Sequence, residues 1–143
     1  MLPHSRAQRL AVVLRAAIGT ILLATAVGKL LDVGGFARVL GTYEVLPEGS
    51  LSPLSVAIPI AELALALWLF SGRALTGAAI ASAVMHAGYV AWSWAALARG
   101  LHLKNCGCFG VFLARPLTWE TVVEDLVLVA MSLALLALAR RPG

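Results

Sequence analysis

The chain has 143 residues, of which 61% are hydrophobic and 13% charged, with a formal net charge of +4. A water-soluble domain would carry about twice that share of charge, so the composition excludes an ordinary soluble globule and reads as one integral membrane domain over 1–143. The Arg and Lys excess sits near expected helix ends, a pattern of membrane orientation and not of nucleic-acid binding.

Met1–Arg9 is short, polar and basic. Leu10 to Leu31 is then apolar except for Arg15 and Lys29, and is long enough to cross a hydrocarbon core of about 30 Å. Ala24-Thr25-Ala26 resembles a signal-peptide cleavage site, but the apolar stretch outruns a typical signal core and Arg15 interrupts it. A first span near 8–31 is the expectation. Ala24 and Gly28 have the small-xxx-small spacing of close helix contacts. Asp32 to Ser52 is a connection with Gly34-Gly35, Gly41, Pro47 and Gly49. Phe36, Val39 and Leu40 fall at helical spacing within it, which predicts a short interfacial helix near 34–41.

The second span is expected over 53–71, with Pro53 in its first turn and Pro59 inside it. Ser71-Gly72-Arg73 is so short that the second and third spans should be antiparallel neighbours. The third span, 73–100, carries His86, Tyr89, Trp92 and Trp94, and its Tyr and Trp mark the membrane–water boundary. A loop over 101–116 follows, then a fourth span over 117–140 with Glu120, Glu124 and Asp125 in its first half. The fold class is therefore all-α, an integral membrane bundle of four transmembrane helices. Basic residues divide almost evenly between its two sides, and a dithiol site suits an oxidising exterior. The cysteine loop is accordingly placed on the outer face.

That loop holds Cys106 and Cys108, the two cysteines of the chain, separated by Gly107. A disulfide needs Cα atoms roughly 4.4–6.8 Å apart, whereas two extended residues span about 7 Å. Cys106 and Cys108 can bridge only if the backbone turns tightly, which Gly107 allows. So small a ring is expected to be strained, and strained disulfides are readily reduced. His102 and Lys104 are close in sequence, and positive neighbours favour thiolate. The plain alternatives are two ordinary cysteines or half of a metal site.

Ionisable residues also occur inside the spans. At about 1.5 Å per residue, Glu62 and Asp125 lie roughly 13 Å below the cysteine-side ends of their helices, and His86 about 19 Å down. Lys29 is expected to be much shallower. Charges near the bilayer centre cost at least roughly 2.5–3.5 kcal/mol, so they face the bundle interior and pair. Glu124 should point away from Asp125. Glu62, His86, Asp125 and Lys29 read either as registry-fixing pairs or as a proton path or quinone-headgroup site beneath the thiols.

Gly28-Lys29-Leu30, Phe36 through Tyr43 to Leu46-Pro47, and Glu62-Leu63 occur in a recognisable order. Together with Arg99-Gly100, Cys106-Gly107-Cys108-Phe109-Gly110, Trp119 and Asp125, they make the chain resemble the MauE family, four-span proteins related to the DoxX-like group. The resemblance covers about residues 10 to 135, and its specific part is the five-residue cysteine loop. It implies membrane-embedded thiol chemistry in the bacterial cytoplasmic membrane. It also implies a thioredoxin-like, MauD-like partner and an extracytoplasmic client, as in maturation of the disulfide-rich small subunit of methylamine dehydrogenase.

The expected function is thus thiol–disulfide exchange by Cys106 and Cys108, with His102 and Lys104 supporting the thiolate. With one cysteine pair, the site either exchanges with a partner and then meets a quinone, or relays between two proteins. The rival classes are a transporter capturing a thiophilic metal ion through the two thiolates, and a non-catalytic assembly factor whose loop docks a partner.

Overall fold

The computed structural model describes residues 5–141. Its helices are α1 Arg6–Leu30, α2 Val33–Gly41, α3 Glu48–Ser71, α4 Leu75–Ala98 and α5 Trp119–Ala139, with no strand among the described residues. α1, α3, α4 and α5 are each long and apolar enough to cross a bilayer. The protein is an all-α, four-span membrane bundle.

Local chemistry sets the helix ends. Ser5 and Gln8 form a reciprocal capping box, so α1 begins at Arg6. Asp32 caps α2 by accepting from the Gly35 N–H at 2.8 Å. α2 buries Phe36, Val39 and Leu40 on one face. α3 starts five residues before the position expected from Pro53, because Pro47 already fixes the N-cap backbone and Glu48 suits a first turn. Pro53 and Pro59 both lie inside α3 and release the carbonyls of Gly49 and Ser55 from the helical ladder.

The spans alternate in direction. α1 packs along α3 and α4 along α5, while α3 and α4 touch far less. Their short turn does hold them together at one end, where Leu65 and Leu69 share a core with Ala78, Ala79, Ile18 and Leu135. Arg15 closes that end by donating to the Leu69 and Phe70 carbonyls of the last α3 turn at 2.9 and 2.8 Å, the first of which also accepts the Gly72 N–H at 3.3 Å. Towards the cysteine end α3 and α4 separate around a cavity. The expectation of close neighbours holds near the turn and fails beyond it. Ala24 is exposed and makes no close helix pair; Gly28 instead accommodates the cysteine loop.

Candidate functional site

Residues 101–118 cross the end of the bundle and are held from three directions. The Leu117 N–H donates to the Leu103 carbonyl at 3.0 Å and the Cys106 N–H to the Arg115 carbonyl at 2.8 Å, which ties the two arms of the loop together. The Asn105 side chain accepts from the Gly107 N–H and donates to the Gly110 carbonyl, both at 2.9 Å. Tyr43, just after α2, donates its hydroxyl to the Cys106 carbonyl at 2.6 Å, and its own carbonyl accepts from Arg99 at 2.7 Å. Gly107 has φ +82°, and a β-carbon there would lie 2.8 Å from Val39 Cγ1. A β-carbon on Gly28 would collide with the Phe109 carbonyl. The loop therefore sits directly on the backbone of α1, where Gly28 and Gly110 face each other, and on α2 through Gly107.

This clamp brings the Cys106 and Cys108 sulfurs to 2.9 Å as free thiols. Cys106 is buried and Cys108 half-buried. The Cys106 thiol is pulled down to about 6, chiefly by the hydrogen bond from the Cys108 thiol. The Cys108 backbone N–H and the Arg115 charge add to this, against the effect of burial. Cys108 moves the other way, because it holds the shared proton beside a thiolate and is itself desolvated. The dithiol releases its first proton near neutral pH and keeps its second.

His102 and Lys104, expected beside the thiols, are exposed on the outer side of the loop. The chain there alternates, with Leu101 and Leu103 turned inward, so their polar neighbours face out. The positive charges that act on the sulfurs belong to Arg115, for Cys106, and Lys29, for Cys108.

Below the loop lies a cavity of about 740 Å³, lined by both cysteines together with Lys29, Glu62, His86 and Asp125. Lys29 is not shallow. Its Nζ lies 2.6 Å from Glu62 Oε1, and both side chains are almost wholly buried. Side chains lean towards the N-terminus of their own helix. Lys29 near the end of α1 therefore leans down, Glu62 on the antiparallel α3 leans up, and the two meet. Tyr89 donates to Glu62 Oε1 at 2.5 Å and Thr25 to Oε2 at 3.3 Å. His86 Nδ1 lies 2.8 Å from the Ser82 carbonyl. A carbonyl only accepts, so Nδ1 carries a proton and Nε2 is the acceptor of the neutral ring. Asp125 is buried but makes no hydrogen bond with another described residue. Glu124, adjacent to it, is exposed and bonds Arg115 at 2.9 Å.

Glu62 thus finds Lys29, Tyr89 and Thr25, not His86 or Asp125. Asn105, Tyr43, Tyr89 and Arg115 also belong to the site, although no site role was expected of them. Tyr89 and Trp92 were expected as boundary markers, but Tyr89 reaches Glu62 and Trp92 packs 5.1 Å from the Tyr43 ring, centroid to centroid. Trp94 is exposed.

Residues 7–139 match the family model described as methylamine utilisation protein MauE. The chain is 31% identical over 122 residues to the methylamine utilization protein MauE of Paracoccus denitrificans, an alignment covering 85% of this chain and 66% of that protein. It is 30% identical over 145 aligned positions to that of Paracoccus versutus, covering 91% and 71%. The chain therefore spans about two thirds of the length of these relatives. No solved structure matches it.

Proposed function

The chain belongs to the MauE family of methylamine utilisation proteins, and on that premise we propose that it is a membrane thiol–disulfide oxidoreductase whose redox pair is Cys106 and Cys108. The observation that carries this reading is the sulfur separation of 2.9 Å, with one thiol poised as thiolate and the other retaining its proton. In the oxidised state a thiolate of a thioredoxin-like, MauD-like partner attacks the Cys106–Cys108 bond. The thiol of lower pKa is the better leaving group. Attack therefore falls on the half-buried Cys108, Cys106 departs as thiolate, and a mixed disulfide joins Cys108 to the partner. The partner's second thiolate then attacks its own half of that bond and leaves the site as a dithiol. The setting that fits is the bacterial cytoplasmic membrane with the loop on its outer face, serving clients that need disulfides, as the small subunit of methylamine dehydrogenase does.

The test uses single-cysteine variants and a thioredoxin-fold protein with one active-site cysteine, activated as its mixed disulfide with thionitrobenzoate. Cys106→Ser should displace the thionitrobenzoate through Cys108 and accumulate as a covalent complex on a non-reducing gel. Cys108→Ser should form much less. If neither variant traps the probe, the exchange reading is wrong.

A further inference from the structure

The cavity beneath the thiols is open sideways. Its walls between α3 and α4 are Leu54, Ile58 and Ala61 on one helix and Ala81, Val84 and Gly88 on the other. These recur every three or four residues, so each set is one helical stripe. Ala61, Val84 and Gly88 are exposed, Val84 at 67%. Both helices cross the membrane, so this mouth opens into the lipid and not into water. Most of the remaining lining is apolar, and its polar groups include the buried Lys29, Glu62, His86 and Asp125, with Tyr89 and the two cysteines. A volume of about 740 Å³ lies within the range of roughly 300–1,000 Å³ of small-molecule sites.

We infer that this cavity is the binding site of a lipid-soluble quinone, which enters laterally between α3 and α4, sets its ring against Lys29 and the thiols, and leaves its isoprenoid tail in the mouth. The inference rests on the thiol–disulfide reading of the same site and supplies its electron acceptor. An acyl chain would suit the mouth but not the inner end. There Lys29 carries three donor hydrogens and holds Glu62 with one, so others are available to a quinone carbonyl. The Lys29 ammonium also lies 5.4 and 5.6 Å from the centroids of the Phe36 and Tyr89 rings, an aromatic surround that suits a flat ring. The balance is complete. The dithiol loses two electrons and two protons and gains one S–S bond, and the quinone takes both electrons and both protons to become the hydroquinone.

The test uses the reduced protein in quinone-free phosphatidylcholine nanodiscs. Ubiquinone-2 is added, and quinone absorbance and free thiols are followed together. One hydroquinone should form per Cys106–Cys108 disulfide. Gly88→Phe and Ala61→Phe should slow the reaction by about ten-fold or more, the scale on which an apolar pocket discriminates by size. A β-carbon on Gly88 meets nothing within 4 Å, so a side chain can leave the backbone there without collision. Leu133→Phe, lipid-exposed and away from the cavity, should react like the unaltered protein. Thiols that stay reduced in the presence of ubiquinone-2 would overturn the inference, as would unslowed Gly88→Phe and Ala61→Phe variants. Protein-probe trapping on the same samples reports separately on the exchange reading: trapping without quinone reduction removes the quinone site alone, and quinone reduction without trapping removes the protein partner alone.

Discussion

Lys29 at the top of α1 and Glu62 deep in α3 form an ion pair at 2.6 Å, buried at the inner end of the cavity that reaches the thiols. Helix direction explains it. The two side chains lean along antiparallel helices towards one level, although their backbones enter the bundle from different depths.

Removing one partner strands the other charge in the bundle. Glu62→Gln or Lys29→Met should each destabilise the protein by about 3–5 kcal/mol, the usual cost of breaking a buried pair from one side. The double replacement Lys29→Met/Glu62→Leu should cost less than the sum of the singles. Thermal unfolding in detergent measures both. Protein-probe trapping by the folded Glu62→Gln variant should persist while turnover slows, because Glu62 is not among the groups that set the acidity of the two sulfurs.

The loop rests on α1 through Gly28. Gly28→Ala drives a methyl group into the Phe109 carbonyl, an overpacking that costs about 1–3 kcal/mol. The rate of Cys106–Cys108 bond formation with a small oxidant should fall more than global stability does. Tyr43→Phe, which removes the hydroxyl that holds the Cys106 carbonyl, should have a milder effect of the same sign, about 0.5–1.5 kcal/mol.

The thiol electrostatics set a pH profile. An acid held below its ordinary pKa is ionised at lower pH, so alkylation of the dithiol should rise through about pH 6, where a free thiol would rise near 8.5. Cys108→Ala removes the first cause and should move the Cys106 midpoint up most. Arg115→Gln should raise it less, while His102→Ala and Lys104→Ala, both on exposed positions, should leave it unchanged. Thiolate absorbance against pH distinguishes all four.

Much of this architecture is legible in the sequence, because spans of a membrane protein declare themselves by length and apolarity. The cysteine loop declares itself by its glycines, and α2 by the spacing of Phe36, Val39 and Leu40. What was not legible depends on direction and on partners distant in sequence. Lys29 looks shallow when counted along its helix, and only the lean of its side chain brings it down to Glu62. Arg115 is nine residues beyond Cys106, further than Lys104, yet the loop folds back and places it nearer in charge. The separation of α3 from α4 runs against their short turn, and it arises because α1 and α5 take the closer packing.

The central claim is that Cys106 and Cys108 act together as one redox pair. The most direct test is to mix the oxidised protein with a stoichiometric reduced thioredoxin-fold dithiol, quench in acid, and locate the disulfides by peptide mass spectrometry. The Cys106–Cys108 bond should disappear as the partner's disulfide appears, one for one, with a Cys108–partner peptide as the transient. If Cys106 and Cys108 are never found bonded to each other, and both single-serine variants still support full client maturation, the pair is not the catalyst.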